Sequence, residues 1–178
     1  MPDIGKMYLE DAARTLSDLK RQADAAMAQL SDEQFFAILD TKSNSVAMLV
    51  KHMAGNLRSR WTDFLTTDGE KPDRNRDQEF IVPAGAARSE ILQGWEHGWK
   101  VMLDTLGALQ PEDLAREVLI RREPHSVLRA INRSLAHLAL HGGQIVLLAK
   151  HWKGAEWKTL SIPRGQSEAV NAAYRAQF

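Results

Sequence analysis

Apolar positions recur at helical spacing four times along the chain. Leu9, Ala12, Leu16, Leu19, Ala26 and Leu30 predict a first helix over roughly 7–30. Val46, Leu49, Met53, Leu57, Trp61 and Phe64 form one stripe and predict a second over about 44–65, with Ser43 or Asn44 as its cap. Ile91, Leu92, Trp95, Trp99, Met102, Leu103 and Leu106 predict a third over about 87–106. The fourth starts near Ser126, after Pro124, and ends near Trp152, before Gly154. It is apolar nearly all round; Asn132, Gly143 and Lys150 make its clearest non-apolar line, which predicts burial on most sides. These elements predict an all-α fold, a four-helix bundle formed as a single domain over 1–178.

The connections differ in kind. Ser31 and Gln34 have capping-box spacing, which predicts a short helical turn after the first helix. Pro111 in LQPEDLA suits the start of another turn after the third. These similar segments hint at two helix–turn–helix halves. REVLIRRE (116–123) alternates enough for a short strand or an extended arm. Residues 66–86 form a loop of charge, proline and glycine, unusually long for a compact domain and often a sign of function. In the tail over 154–178, Trp157 and Ile162-Pro163 predict packing back on the body.

Composition narrows the partners. Lys+Arg and Asp+Glu both total 23, which argues against nucleic acid or an anionic membrane. There is no cysteine, so any thiol in the chemistry must come from a substrate. The N-terminus lacks the pattern of a secretory signal, and the longest apolar run, IVLLA (145–149), is too short to span a bilayer. A cytoplasmic location is the expectation.

The histidines carry the candidate chemistry. His137 and His141 in HLALHGGQI are separated by about 400° and project from one helical face, a geometry that can grip one metal ion. Gln144 shares that face. His151 lies about 21 Å along the axis from His137 and cannot join them. The second helix offers His52, one turn before Asn56, on a polar edge with Ser45, Ser59 and Asp63. His97 falls opposite the tryptophan stripe and is expected at the surface. His125 is either a local cap or a neighbour of the site. Trp95 and Trp99 read as core or as a dimer face.

VKHMAGN (50–56) on the second helix and HLALHGGQI (137–145) on the fourth resemble the DinB-like (YfiT-like) superfamily of metal-binding helical bundles. Residues 60–80 and 159–171 look like a branch of unknown function. The resemblance implies a four-helix bundle of the DinB/YfiT-like type, often a homodimer, with a divalent metal on His52, His137 and His141. It also implies thiol-dependent chemistry, as in bacillithiol transferases and the mycothiol-dependent maleylpyruvate isomerase.

Three neutral imidazoles would leave an open position on a metal, a catalytic rather than a structural arrangement. Imidazole suits zinc or nickel, and iron as well. Asn56 and Gln144 could hold ligand rings or touch substrate. No carboxylate adjoins the histidines in sequence. A base must then come from the loop, the tail or the substrate, a small molecule such as a low-molecular-weight thiol; Arg74, Arg76, Asp77 and Glu79 in the loop, and Arg164, Gln166 and Ser167 in the tail, could line the mouth of a pocket. The leading expectation is thiol S-transfer, followed by metal-assisted hydrolysis. The alternatives are a non-catalytic metal- or ligand-binding bundle, such as a stress-related or sensor protein, and a structural dimer.

Overall fold

The computed structural model describes residues 2–176. It is mostly helical. The elements in order are α1 (Ile4–Met27), α2 (Asp32–Phe36), α3 (Val46–Trp61), α4 (Arg88–Ala108), β1 (Glu117–Ile120), β2 (Glu123–Ser126), α5 (Val127–Lys153) and α6 (Ser167–Arg175). The four long helices contact one another in a closed ring, α1–α5–α3–α4 and back to α1. Their apolar stripes meet in one core around Leu16, Leu49, Met53, Leu57, Trp61, Trp95, Trp99, Met102, Ile131, Leu138 and Ile145. Gly98 sets the closest approach between α3 and α4, where a Cβ would lie 3.0 Å from the Ala54 carbonyl oxygen. Trp95 and Trp99 are core residues, and the Trp95 indole donates to Asp24 at 2.8 Å.

The helix ends follow local chemistry. Ser45, rather than Ser43 or Asn44, caps α3 by accepting from the Met48 N–H. The helix stops at Trp61, short of Leu65, and Asp63 takes φ 47°. The capping box of Ser31 and Gln34 starts α2. Pro111–Ala115 is a single 3-10 turn. REVLIRRE resolves into one arm of a hairpin: β1 pairs antiparallel with β2 across Arg121-Arg122, both at positive φ. Such a turn normally selects Asn-Gly. Here Asp68 stabilises it, accepting the N–H groups of Arg121 and Arg122 at 2.8 and 2.7 Å.

Three expectations change. First, α5 is not buried on most sides. It packs on α1 and α3, and its outer face leaves Leu140 and Leu147 62% and 68% exposed. A helix in a four-membered ring buries one broad stripe, and α5 carries more apolar residues than that stripe needs. Second, the 66–86 loop, whose conformation the sequence left open, is held in place by specific bonds. Gly69 N–H donates to Leu119 O, the Ser59 hydroxyl donates to Gly69 O, and Asp77–Phe80 forms a 3-10 turn. Third, the tail packs only at its start. Trp157 and Leu160 lie against the core, and Gln29 exchanges two hydrogen bonds with the Lys158 backbone. Beyond that Ile162 is exposed and α6 buries no residue. Among the described residues no helix is long and apolar enough to cross a membrane.

Candidate metal centre

His52 projects from the middle of α3, and His137 and His141 from consecutive turns of α5. Their ring centroids lie 5.2 Å (His52–His137), 5.1 Å (His52–His141) and 4.6 Å (His137–His141) apart. One nitrogen from each approaches within 4.8 Å of the others, so this group could hold a metal ion. The closest pair is His52 Nε2 and His137 Nε2 at 3.1 Å. A tetrahedral zinc with ordinary Zn–N bonds separates ligand nitrogens by roughly 3.3 Å. Drawing the three nitrogens to that spacing would supply three of the four positions of such a sphere.

The second ring nitrogens explain which face each imidazole presents. His52 Nδ1 donates to Glu79 Oε2 at 2.8 Å, and His141 Nδ1 donates to Gln144 Oε1 at 2.7 Å. Both bonds place the proton on Nδ1 and leave the Nε2 lone pair facing the cluster. His137 Nδ1 is buried and has no partner. Burial pushes the His137 imidazole down to about 3, reinforced by His141, His52, Arg74 and Arg60. Burial likewise lowers His141, although the Gln144 bond opposes it. A divalent ion requires its imidazole ligands neutral, with one lone pair of each turned toward it.

Glu79 is the site's buried carboxylate and comes from the 3-10 turn of the loop. Arg74 grips it twice, Nε to Oε1 at 2.8 Å and Nη2 to Oε2 at 3.0 Å. Burial pushes the Glu79 carboxyl up, but the bonds from His52 and Arg74 outweigh this and leave it below the usual range. The next residue, Phe80, stacks on the His52 ring at 4.6 Å. Gly55 makes room for this carboxylate, since a Cβ there would lie 2.3 Å from Glu79 Oε1.

The structure sorts the other candidates. Gln144 is a ring partner. Asn56 is half-buried and bonds to none of the histidines; it lines a small cavity beside His137 instead. Arg76 is exposed and sits over the Phe80 ring at 5.2 Å, and Asp77 is exposed. Arg164, Gln166 and Ser167 are exposed in the tail, and no described hydrogen bond joins them to the cluster. His97 and His151 are at the surface. His125 is 2% exposed on β2, where its Nδ1 donates to Glu123 O and its Nε2 accepts from Arg133.

The pairing of Glu79 with His52 was not readable from spacing, because they lie 27 positions apart and the chain between them is largely irregular once α3 ends at Trp61. Its one signal is the apolar Phe80-Ile81-Val82 directly after Glu79, of which Phe80 stacks on His52 and Val82 packs against the core while Ile81 stays exposed. Arg60 and Arg133 carry no such signal.

No curated protein matches the chain. A family described as "Protein of unknown function (DUF1572)" matches residues 3–166, so the protein belongs to that family.

Proposed function

We propose that the protein is a divalent-metal-dependent enzyme, a four-helix bundle of the DinB-like type, that acts on a small molecule by thiol S-transfer. The observation that carries this reading is the convergence of His52, His137 and His141, with the outer nitrogens of two rings already fixed by Glu79 and Gln144. Zinc or nickel fits the all-imidazole donor set best, and iron fits as well. Such an ion would supply Lewis acidity and lower the pKa of an incoming thiol or water.

The chain's own residues favour thiol over water. Both oxygens of Glu79 are occupied by Arg74 and His52, so this carboxylate orients His52 and is not free to take a proton. A thiol, with an ordinary pKa near ~8.5, loses its proton far more readily than water and has less need of a base. The chain has no cysteine, so the thiol arrives with the substrate. The same lack of a free base supports metal or ligand binding without catalysis as the second reading.

The exposed apolar face of α5 suits a second copy of the chain. Leu140 and Leu147 lie seven residues apart with Gly143 between them, a small residue that lets an identical helix come close. Light scattering should give a dimer mass, reduced to a monomer by Leu147→Glu.

Metal content by mass spectrometry tests the central proposal. Untagged native protein should carry near-stoichiometric metal, and the His52→Ala/His137→Ala/His141→Ala variant none. Turnover with a panel of thiols and electrophiles should then be lost on chelation. Equal metal content in the two proteins, or turnover unaffected by loss of all three histidines, would refute it.

A further inference from the structure

Behind His137, on the side of Arg60 and the hairpin, lies a cavity of about 80 Å³ walled by Asn56, Arg60, Arg133, Ser134 and His137, with Ile120 among its apolar walls. A water needs only about 10–15 Å³ in the same measure, so the space admits a group of several heavy atoms. Its polar lining is dominated by donors. Arg60 is 8% exposed, and its Nη1 is buried without a partner. His137 Nδ1 is also buried without one. Asn56 and Ser134 add an amide and a hydroxyl.

Nearby carboxylates do not neutralise this charge. Glu70 is shared by Arg60 at 3.9 Å, Arg74 at 3.2 Å and Arg121 at 3.2 Å. Glu123 is shared by Arg129 at 3.4 Å and Arg133 at 3.8 Å. Burial pushes the Arg60 guanidinium down to about 10; Glu70 opposes this, while Arg74, Arg133 and Arg121 repel it. Arg133 is aimed by a chain of bonds: the Glu123 carbonyl holds the proton on His125 Nδ1, and His125 Nε2 accepts from Arg133 Nη1 at 2.7 Å. Two guanidinium side chains around one cavity, one of them buried with an unpartnered nitrogen, beside an amide and a hydroxyl, call for an acceptor with negative charge.

We propose that this cavity is an oxyanion pocket, in which Arg60, Arg133 and Asn56 seat a carboxylate or phosphate group of the ligand. On the reading above, the ligand is then anchored by its anionic end next to the three-histidine site, with its reacting end at the cluster. That second step rests on the proposed metal site; the pocket itself does not.

The test uses the full chain with sodium acetate and inorganic phosphate as probes, each against sodium chloride at equal ionic strength. Thermal unfolding and calorimetric titration are read for the native protein, for His52→Ala/His141→Ala, and for Arg133→Gln. The double variant removes two metal ligands and leaves every wall of the pocket. Arg133 is half-exposed, so its variant should fold, which circular dichroism checks. The native protein and the double variant should both bind a probe, and Arg133→Gln should bind it about tenfold more weakly or worse. Preference for acetate assigns a carboxylate, and preference for phosphate a phosphoryl group. No binding of either probe, or equal binding by Arg133→Gln, overturns the pocket. Anion binding in a protein that takes up no metal would keep the pocket and refute the metal site. Metal uptake with no anion binding would do the reverse.

Discussion

Two polar stretches, residues 66–86 and the tail beyond Leu160, look alike in sequence: charge, proline, glycine and an occasional apolar residue. They differ entirely in their place in the fold. The loop sends Glu79 and Arg74 into the interior, with side chains 9% and 3% exposed, and ties them to a histidine of the site. The tail's own ion pair, Arg175 with Glu168, stands 65% and 82% exposed, and α6 buries nothing. Buried charges depend on their partners for the hydrogen bonds that water no longer provides, whereas exposed ones do not. The loop should therefore be sensitive to single substitutions and the tail tolerant of outright removal.

The sharpest break is Arg74→Met. It leaves the Glu79 carboxylate buried with His52 as its one remaining side-chain partner. Removing one member of a buried pair costs about 3–5 kcal/mol. Chemical denaturation should show a loss of that order. The matching change in the tail, Arg175→Met, should be indistinguishable from native because exposed pairs contribute little. Equal small effects would mean that Arg74 is solvated in solution, and the contrast between the two stretches would fall.

Glu79→Gln is milder for the fold and aimed at the site. The amide keeps the shape and can still accept from His52 Nδ1, but loses the charge that holds Arg74 and strengthens the imidazole as a ligand. Loss of such a partner typically weakens metal binding about 10–100-fold. Calorimetric titration with zinc reads this directly. An unchanged affinity would reduce Glu79 to a structural clip for the loop.

Acid should act through the same groups. In the metal-free protein His137 stays neutral down to about 3, whereas an unfolded chain takes up that proton near 6.5. The unfolded state binds more protons between those values, so stability is full above about pH 6.5 and falls as pH drops toward 3. Glu79, also held below its ordinary 4.5, adds a loss in the same direction that begins below that value. Urea midpoints between pH 7 and 4 should decline, and His137→Phe should flatten the upper part of the decline.

How much of this was legible depended on how local the cause was. The four long helices followed from apolar spacing, and the pairing of His137 with His141 from helical pitch alone. Ser31 and Gln34 announced their capping box within four residues. The role of Gln144 was visible for the same reason, since it sits three residues after its partner. Glu79 and Arg133 were not visible as partners of histidines. The first is placed by a loop whose path depends on Asp68 and the hairpin, and the second by a ring on another element. The outward face of α5 was misjudged because apolar composition does not say which neighbours a helix meets. Ile162 was misread for a related reason: one apolar residue in a tail packs only if a groove awaits it.

Gly55→Ala separates stability from site geometry within one residue. In an exposed helix interior alanine gains up to about 1 kcal/mol over glycine. Here the new Cβ would meet Glu79 Oε1 at 2.3 Å, which the carboxylate must leave. Arg74 and His52 hold it from the far side, so the displacement should tilt His52. Zinc affinity should fall several-fold, and the helix gain should offset only part of the stability lost as the Arg74 and His52 bonds to Glu79 are disturbed. A rise in both would show that Glu79 can swing aside without carrying the ring along.

The smallest effect expected is the other half of the comparison. Deleting residues 161–178 removes α6 and the exposed Ile162 but keeps Trp157, Lys158 and Leu160, the part of the tail that touches the core. The Gln29 clamp on the Lys158 backbone stays intact. Surface segments without buried contacts change stability by about 0.5 kcal/mol or less. Unfolding midpoint and zinc affinity should therefore match the native chain. A longer deletion, starting at Trp157, should cost clearly more, because it uncovers the apolar surface on which Trp157 and Leu160 rest and leaves Gln29 without its partner. If the 161–178 deletion proved as damaging as the one starting at Trp157, α6 would have a docking place on the body in solution, and the division between a built-in loop and a free tail would have to be redrawn.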